Sequence, residues 1–281
     1  MPLDASTRGA LAIAGAAALW GLWGLIIHAA GLGGPLAACI VMLTVGTVAA
    51  PTLPRRIPRG RKAWTALVGT GITDALNALL YFEALRRGPV PVAVLSHYLA
   101  PVLVALASPL VLGQRPSVRV WVSLPLSLVG LGLLLDLGQG GTDATTTALL
   151  GAGSAVFYGA QIILQKQGGD TLEPSELLVW HAWIAGLLLL PFALAEPTPT
   201  GTSVAWLMLG AVIGGAFAGS VFLWGLRSVD AARAGVLTYI EPVVGVLSGV
   251  LVLQAPLPAL APLGGLLILG SGWMVLRERA P

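Results

Sequence analysis

Charged residues are scarce in this 281-residue chain, because Asp, Glu, Lys and Arg together supply only 10% of it. Soluble domains carry about 25%. Hydrophobic residues supply 56%, and the mean hydropathy is +0.88. This balance excludes an ordinary soluble fold, and no polar stretch is long enough for a separate soluble domain. The net charge of +3 rests on so few charges that it does not indicate a nucleic-acid partner.

Cysteine is limited to Cys39, which excludes a disulfide framework and a cysteine-based zinc site. The chain also lacks the HExxH, Walker A and GxSxG motifs, and its His, Asp and Glu residues show no metal-ligand spacing within one segment. We therefore expect no metal, no cofactor and no enzymatic activity. Without an ATP-binding motif, any transport must draw on an ion gradient or on the gradient of the substrate.

Long hydrophobic runs are what the chain does have, and they predict an all-α integral membrane protein in a lipid bilayer. A helix needs about 20 apolar residues to cross the hydrocarbon core. Ten segments meet this requirement, and turn-rich stretches separate them. The predicted spans are residues 9–30, 34–53, 62–85, 89–112, 116–136, 145–165, 175–195, 203–226, 231–253 and 257–276.

The positive charges predict the orientation of these helices. If the N-terminus lies in the cytoplasm, then only Arg86 and Arg87, among 15 Lys and Arg residues, fall on the outer side. Cytoplasmic loops of membrane proteins carry the excess of Lys and Arg. We therefore expect both termini to be cytoplasmic.

The sequence repeats itself. Residues 81–101 and 222–242 align without a gap at an offset of 141. Identical pairs include Arg86/Arg227, Ala93/Ala234, Tyr98/Tyr239 and Pro101/Pro242. The repeat predicts two five-helix units, residues 1–138 and 139–281. Because five is odd, the second unit enters the membrane from the opposite side, which is an inverted repeat with its site between the halves.

Two of the predicted helices carry polar stripes. Polar groups in hydrocarbon are costly and usually face a cavity or a partner, so the stripes indicate a water-filled substrate path. Hydrogen bonding between helices is the alternative. Helix 3 carries Thr70, Asp74, Asn77 and Tyr81, and helix 6 carries Ser154, Tyr158, Gln161 and Gln165. In both helices the 4, 3, 4 spacing places all four side chains on one face.

Further candidates lie near the middle of other predicted helices. Trp20 and Trp23 of helix 1 align with Tyr158 and Gln161, and we interpret all four as walls of the substrate site, with bulky packing as the alternative. His97 and Tyr98 of helix 4 are expected to bind polar groups of the substrate, although a lone His is often structural. His28 and His181 lie nearer predicted helix ends and receive less weight.

Two carboxyl groups and two prolines complete the set. Asp74 and Glu241 are the acids placed deepest in the predicted bundle, so either is a candidate proton carrier, with a hydrogen-bonded role in helix packing as the alternative. Pro101 and Pro242 occupy matching places, and proline frees a backbone carbonyl and permits a bend. We expect hinges there, with static kinks as the alternative.

The order of several motifs resembles the drug/metabolite transporter superfamily, in its ten-helix EamA-type branch. The resemblance covers the whole chain. It rests on Trp20-Gly21, Leu99-Ala100-Pro101-Val102, Gly113-Gln114 and Ile240-Glu241-Pro242-Val243. The family commonly ends helices 4 and 9 with Gly-Glu, whereas this chain has Gly113-Gln114 and Leu253-Gln254, so any role of those acids is missing here.

The resemblance implies a carrier of the bacterial inner membrane, usually an exporter of small metabolites such as amino acids, aromatic ones included. It also implies a cavity lined by helices 1, 3, 4, 6, 8 and 9. We therefore expect a secondary transporter that exports amino acids by alternating access, with protons as a candidate coupling ion. A monomer would suffice, since both halves are in one chain. The alternatives are a lipophilic-cation or drug exporter of the same fold, and a non-transporting membrane sensor. The predicted substrate-binding residues are Trp20, Trp23, Asp74, Asn77, Tyr81, His97, Tyr98, Tyr158, Gln161 and Glu241.

Overall fold

The computed structural model describes residues 3–55, 57–135 and 143–278, and every regular element within those ranges is helical. The helices group into ten segments. They are α1 (Ala5–Ala30), α2 (Gly34–Thr52), α3 (Arg61–Arg87), α4 (Val90–Val111), α5 (Val118–Leu135), α6 (Ala144–Gly168), α7 (Pro174–Ala193), α8 (Gly201–Leu226), α9 (Ala231–Leu253) and α10 (Ala261–Leu276).

Eight of these segments are long and apolar enough to cross a membrane, and α10 is a shorter apolar helix. The remaining segment, α3, is 27 residues long and carries the polar stripe. Large aliphatic side chains lie on the outside of the bundle: Leu110 is 88% exposed and Leu251 is 73% exposed. An apolar exterior of this kind is stable in lipid rather than in water, so the chain is a multi-pass membrane protein.

The helix contacts form matched sets. α3 packs against α6, and α8 packs against α1. In the same way α4 packs against α6, while α9 packs against α1. The pairs α2 with α7, α4 with α9 and α5 with α10 complete the bundle. Exchanging α1–α5 with α6–α10 therefore reproduces the same set of contacts.

Three segments are interrupted near their middle. α1 is broken between Trp20 and Trp23, α4 between His97 and Ala100, and α9 between Thr238 and Ile240. The α4 and α9 breaks lie just before the aligned prolines Pro101 and Pro242. Because proline has no N–H, the carbonyl four residues earlier loses its helical donor, and the helix is free to break there.

Close backbone contacts accompany these breaks. A Cβ added to Gly21 would lie 2.5 Å from the carbonyl oxygen of Glu241, so only glycine fits where α1 crosses α9. The aligned residue Gly159 faces α4, where an added Cβ would lie 3.4 Å from the carbonyl oxygen of Ala100. The first helix of each half therefore crosses the broken helix of the other half, more tightly in one case than in the other.

Polar side chains form hydrogen bonds between helix ends on one side of the bundle. This side contains the end of α4 and the start of α9. The Gln114 Oε1 accepts a hydrogen bond of 3.0 Å from the Ala231 N–H, which caps α9. The Lys166 Nζ donates to the carbonyls of Leu226 and Val229. Arg233 is buried and donates to the Val275 and Leu276 carbonyls at the end of α10.

Candidate functional site

Four rings meet at mid-height in the bundle, and we name them the aromatic cluster: Tyr81 of α3, His97 and Tyr98 of α4, and Tyr158 of α6. The His97 ring stacks on Tyr158 with 5.1 Å between centroids and 19° between planes. Its other neighbours are Tyr81, at 4.4 Å, and Tyr98, which it meets edge-on at 5.5 Å. All four residues are among the predicted site residues, and the structure brings them together.

The hydrogen bonds of His97 define its tautomer. Its Nδ1 lies 2.8 Å from the Ser154 Oγ, and that hydroxyl donates its only hydrogen to the Gly151 carbonyl, also at 2.8 Å. The Ser154 oxygen must therefore accept from the Nδ1–H of His97. In the neutral ring the Nε2 atom is then an acceptor. His97 can thus accept a hydrogen bond from a ligand.

Glu241 places a carboxyl group beside the aromatic cluster. It occupies the middle of α9, is half-buried, and lies next to the Tyr98 hydroxyl within hydrogen-bonding reach. Tyr81 and Tyr158 are also within its electrostatic range. A carboxylate near several aromatic rings is an arrangement that suits a positively charged group.

Tyr239 holds the broken part of α4 in place. It is fully buried, and its hydroxyl donates a hydrogen bond of 2.7 Å to the Tyr98 carbonyl. The rings of Tyr98 and Tyr239 lie 5.5 Å apart. The repeat aligns these two tyrosines, yet Tyr98 contributes its ring to the aromatic cluster while Tyr239 fixes the backbone beneath it.

The polar stripes of α3 and α6 contain buried oxygen atoms without partners. Among the described residues, no hydrogen-bond partner is found for Thr70 Oγ1, Asp74 Oδ2, Asn77 Oδ1 or Gln161 Oε1. Buried polar atoms are almost always hydrogen-bonded in proteins, so these four oxygens of the stripes mark a place that receives ligand or water. A fifth unpartnered oxygen, Thr147 Oγ1, lies near the start of α6. The α3–α6 interface is therefore polar on the face next to the aromatic cluster.

Sequence reasoning gave His181 little weight, and the structure places it beside Asp74. The His181 Nε2 lies 3.5 Å from the Asp74 Oδ2, and both side chains are buried. Close packing of α3 on α7 sets this approach, because a Cβ on Gly71 would lie 2.6 Å from Ile184. The sequence does show that His181 lies well inside an apolar span, four residues after Leu177. No other charged residue lies close to it on the same face of α7.

The predicted walls Trp20 and Trp23 pack elsewhere. The Trp20 Nε1 donates a hydrogen bond of 2.8 Å to the Gly214 carbonyl, and its ring meets Phe222 at 5.0 Å. Trp23 covers Gly210 and Gly214, since added Cβ atoms there would lie within 3.0 Å of its ring. Both contacts belong to the α1–α8 interface, where α8 winds as a π-helix over Ala211–Phe217.

The predicted hinge residues lie where α4 and α9 cross. A Cβ on Gly235 would be 3.2 Å from the Cα and Cβ of Pro101, so Pro101 contacts the backbone of α9. Pro242 follows Glu241 directly and is buried. In the described ranges, no three His, Cys, Asp or Glu side chains come together in a way that would hold a metal ion.

An apolar bundle of membrane-spanning helices with polar and aromatic groups gathered at its middle defines a multi-pass membrane transporter. A model of the EamA-like transporter family matches residues 7–136 and again residues 145–277. The chain therefore belongs to the EamA-like transporter family, within the drug/metabolite transporter superfamily, and it is a transporter rather than an enzyme.

Several characterised and uncharacterised proteins are similar to it. An uncharacterized transporter of Archaeoglobus fulgidus is 29% identical over 215 residues, which is 75% of this chain and 76% of that protein. Protein PecM of Dickeya dadantii is 26% identical over 86% of this chain and 82% of its own length. The pseudopaline exporter CntI of Pseudomonas aeruginosa is 25% identical over 69% of each chain.

The fold is shared with a solved structure. One crystal structure superposes with a TM-score of 0.80 and covers 95% of this chain and 96% of its own. The two sequences are 21% identical, so this likeness shows the common architecture.

Proposed function

We propose that the protein is a secondary transporter that exports amino acids or related small zwitterionic metabolites by alternating access. The observation that carries the proposal is the meeting of the aromatic cluster and the Glu241 carboxyl beside the α3–α6 interface, which holds the unpartnered oxygens. The membership of the EamA-like family supports transport, and the name of one relative, a pseudopaline exporter, supports export.

The site matches the two charged ends of a zwitterion. Glu241 and the ring faces of the aromatic cluster suit an ammonium group. The amides of Asn77 and Gln161 offer both donors and acceptors, which a buried carboxylate needs in order to replace its water. The rings of Tyr81, His97 and Tyr158 supply aromatic surface that an apolar or aromatic side chain can contact. Asp74 shares the polar face of α3 with Asn77, and its role is considered below.

The membrane arrangement belongs to the same proposal. Ten helices cross the bacterial inner membrane as two inverted five-helix repeats, residues 1–138 and 139–281, with both termini in the cytoplasm. The double match of the family model and the matched helix contacts support the repeat. The breaks beside Pro101 and Pro242 serve as hinges, so that α4 and α9 move together when the site changes side. Both halves lie in one chain, so a monomer suffices.

Flux into proteoliposomes tests the proposal. Purified protein is presented with a panel of labelled amino acids, with and without a pH gradient. We expect saturable uptake above empty liposomes, and loss of that uptake in Asn77→Ala and His97→Ala. His28→Ala is the matched control, because His28 is exposed near the end of α1. Full activity in both site variants would refute the assignment of the site.

A lipophilic cation or drug is the second candidate substrate. The observation that favours it is the single carboxyl of Glu241 among three tyrosine rings, which suits a cation without a carboxylate. Competition separates the two candidates. If the substrate is a zwitterion, amino-acid methyl esters should compete poorly with the free amino acid, whereas a cation site would prefer the esters.

A further inference from the structure

The histidine of α7 has one ring nitrogen with an assigned hydrogen. The His181 Nδ1 lies 2.6 Å from the Leu177 carbonyl oxygen. A carbonyl oxygen can only accept, so the Nδ1 atom must carry a hydrogen and donate it. In a neutral imidazole the remaining nitrogen, Nε2, then presents a lone pair. That atom points towards α3.

The atom that Nε2 meets is also an acceptor. The Asp74 Oδ2 lies 3.5 Å away, and it has no hydrogen-bond partner in the described part of the chain. The His181 and Asp74 side chains are only 7% and 10% exposed, so bulk water does not separate them. A lone pair facing a carboxylate oxygen is repulsive, and a single proton placed between them turns repulsion into a charge-assisted hydrogen bond.

Within residues 3–55, 57–135 and 143–278, the structure shows an ion pair of Asp74 with His181 alone. Between Lys62 and Glu83 it is the only charged residue of α3. Tyr158 of α6 is within electrostatic range of Asp74, and the Tyr158 ring stacks on His97, which in turn meets Tyr81. Cys39 of α2 donates instead to the Gly186 carbonyl, and Glu176 of α7 binds the backbone N–H of Glu173 at the helix start.

We propose that Asp74 and His181 form a binding site for one proton, distinct from the substrate contacts of the aromatic cluster. The proton enters as H⁺, rests on Nε2 or Oδ2, and leaves to water on the side to which the bundle is open. Tyr158 is within the electrostatic range of both the Asp74 and the Glu241 carboxyls. If the proposed transport function holds, occupancy of this proton site is what couples export to the pH gradient.

Nitrogen NMR on the full-length protein tests the proton site without any transport. The chain has three histidines, so labelling with ¹⁵N-histidine yields three ring systems, assigned by His28→Gln, His97→Gln and His181→Gln. We expect a protonated Nδ1 on His181 at neutral pH and an Nε2 signal that changes with pH. The isosteric variant Asp74→Asn should displace that titration of Nε2 while leaving His97 unchanged. An unprotonated Nδ1, or a titration of His181 identical in wild type and Asp74→Asn, would overturn the proposal.

Transport then tests the coupling. In liposomes, His181→Gln should keep exchange of labelled for unlabelled substrate and lose accumulation driven by a pH gradient, with His28→Gln as the control that keeps both. Gel filtration confirms folding. A positive NMR result with no flux for wild type would reject the transport function and leave the proton site intact. Unchanged pH-driven accumulation in His181→Gln would reject the coupling role.

Discussion

Two interfaces of the bundle occupy equivalent positions in the repeat and have opposite chemistry. The α3–α6 interface corresponds to the α8–α1 interface when the halves are exchanged. At the offset of 141 seen in the alignment, the polar residues of α3 and His97 of α4 have small or apolar counterparts. The aligned pairs are Thr70/Ala211, Asp74/Gly215, Asn77/Ala218, Tyr81/Phe222 and His97/Thr238. The first interface therefore holds the polar groups and the second lacks them.

The two interfaces also differ in how their polar groups are satisfied. In the α1–α8 interface the indole N–H of Trp20 is bonded to the Gly214 carbonyl, and Trp23 fills the space above two glycines. In the α3–α6 interface four buried oxygens have no partner among the described residues. A duplicated framework thus supplies one packed interface that maintains the bundle and one polar interface that can receive a ligand. The two interfaces are related by the symmetry of the backbone but differ in the chemistry of their side chains.

The largest expected difference between the two interfaces is in transport. His97→Ala should lower flux by about tenfold or more, because a hydrogen bond to a charged ligand contributes about 1.5–3 kcal/mol. The aligned Thr238→Ala should keep wild-type flux, since its hydroxyl bonds only to the Gly235 carbonyl of its own helix. Initial uptake rates in proteoliposomes measure both. Equal losses in the two variants would show that the site is symmetric.

The two crossing glycines should differ in stability. Gly21→Ala is expected to destabilise the protein by about 1–3 kcal/mol, the usual cost of overpacking, because its Cβ would lie 2.5 Å from the Glu241 carbonyl oxygen. Gly159→Ala should be nearly neutral, since its nearest contact would be 3.4 Å. Thermal unfolding in detergent, followed by tryptophan fluorescence, compares the variants. A stable Gly21→Ala protein would contradict the close crossing of α1 and α9.

Sequence reasoning could reach much of this arrangement. Hydropathy marked each helical segment, the 4, 3, 4 spacing identified the stripes of α3 and α6, and the repeat located the breaks near Pro101 and Pro242. It could not decide which interface each aligned residue enters. Trp20 and Tyr158 align, yet only Tyr158 meets the aromatic cluster, because α1 packs on the glycine-rich α8 and α6 packs on the polar α3.

The pairing of His181 with Asp74 could not be predicted from the sequence either. It depends on which helix packs behind α3 and on how closely it approaches at Gly71, and neither follows from the periodicity of one segment. Asp74 and His181 are 107 residues apart in the chain, in different halves of the repeat. Only tertiary packing brings them together.

The aligned tyrosines should separate binding from stability. Tyr239→Phe loses the hydrogen bond to the Tyr98 carbonyl and should cost about 1 kcal/mol in the free energy of unfolding, with little change in KM. Tyr98→Phe loses the hydroxyl beside Glu241, so we expect a higher KM and unchanged stability. Unfolding curves measure the stability of both variants, and uptake kinetics measure their KM. The reverse pattern would exchange the roles assigned to the two residues.

The smallest expected difference concerns the glutamines that end α4 and α9. Gln114→Ala removes the acceptor that caps α9 and should cost about 1 kcal/mol or less. Gln254→Ala should be neutral, because Gln254 is exposed and its Nε2 donates only to the Leu251 carbonyl of its own helix. Thermal unfolding of the two single variants measures this. Identical unfolding temperatures for the two variants would show that the Gln114 cap does not stabilise the bundle.

Cysteine accessibility at one aligned pair is the most direct measurement. In a Cys39→Ala background the chain has no other cysteine, so Asn77→Cys and Ala218→Cys each present a single thiol. With a water-soluble maleimide, we predict that Asn77→Cys is labelled. Ala218→Cys, buried in the packed interface, should stay unlabelled. Labelling of Ala218→Cys that substrate blocks, with no labelling of Asn77→Cys, would place the substrate path in the other interface.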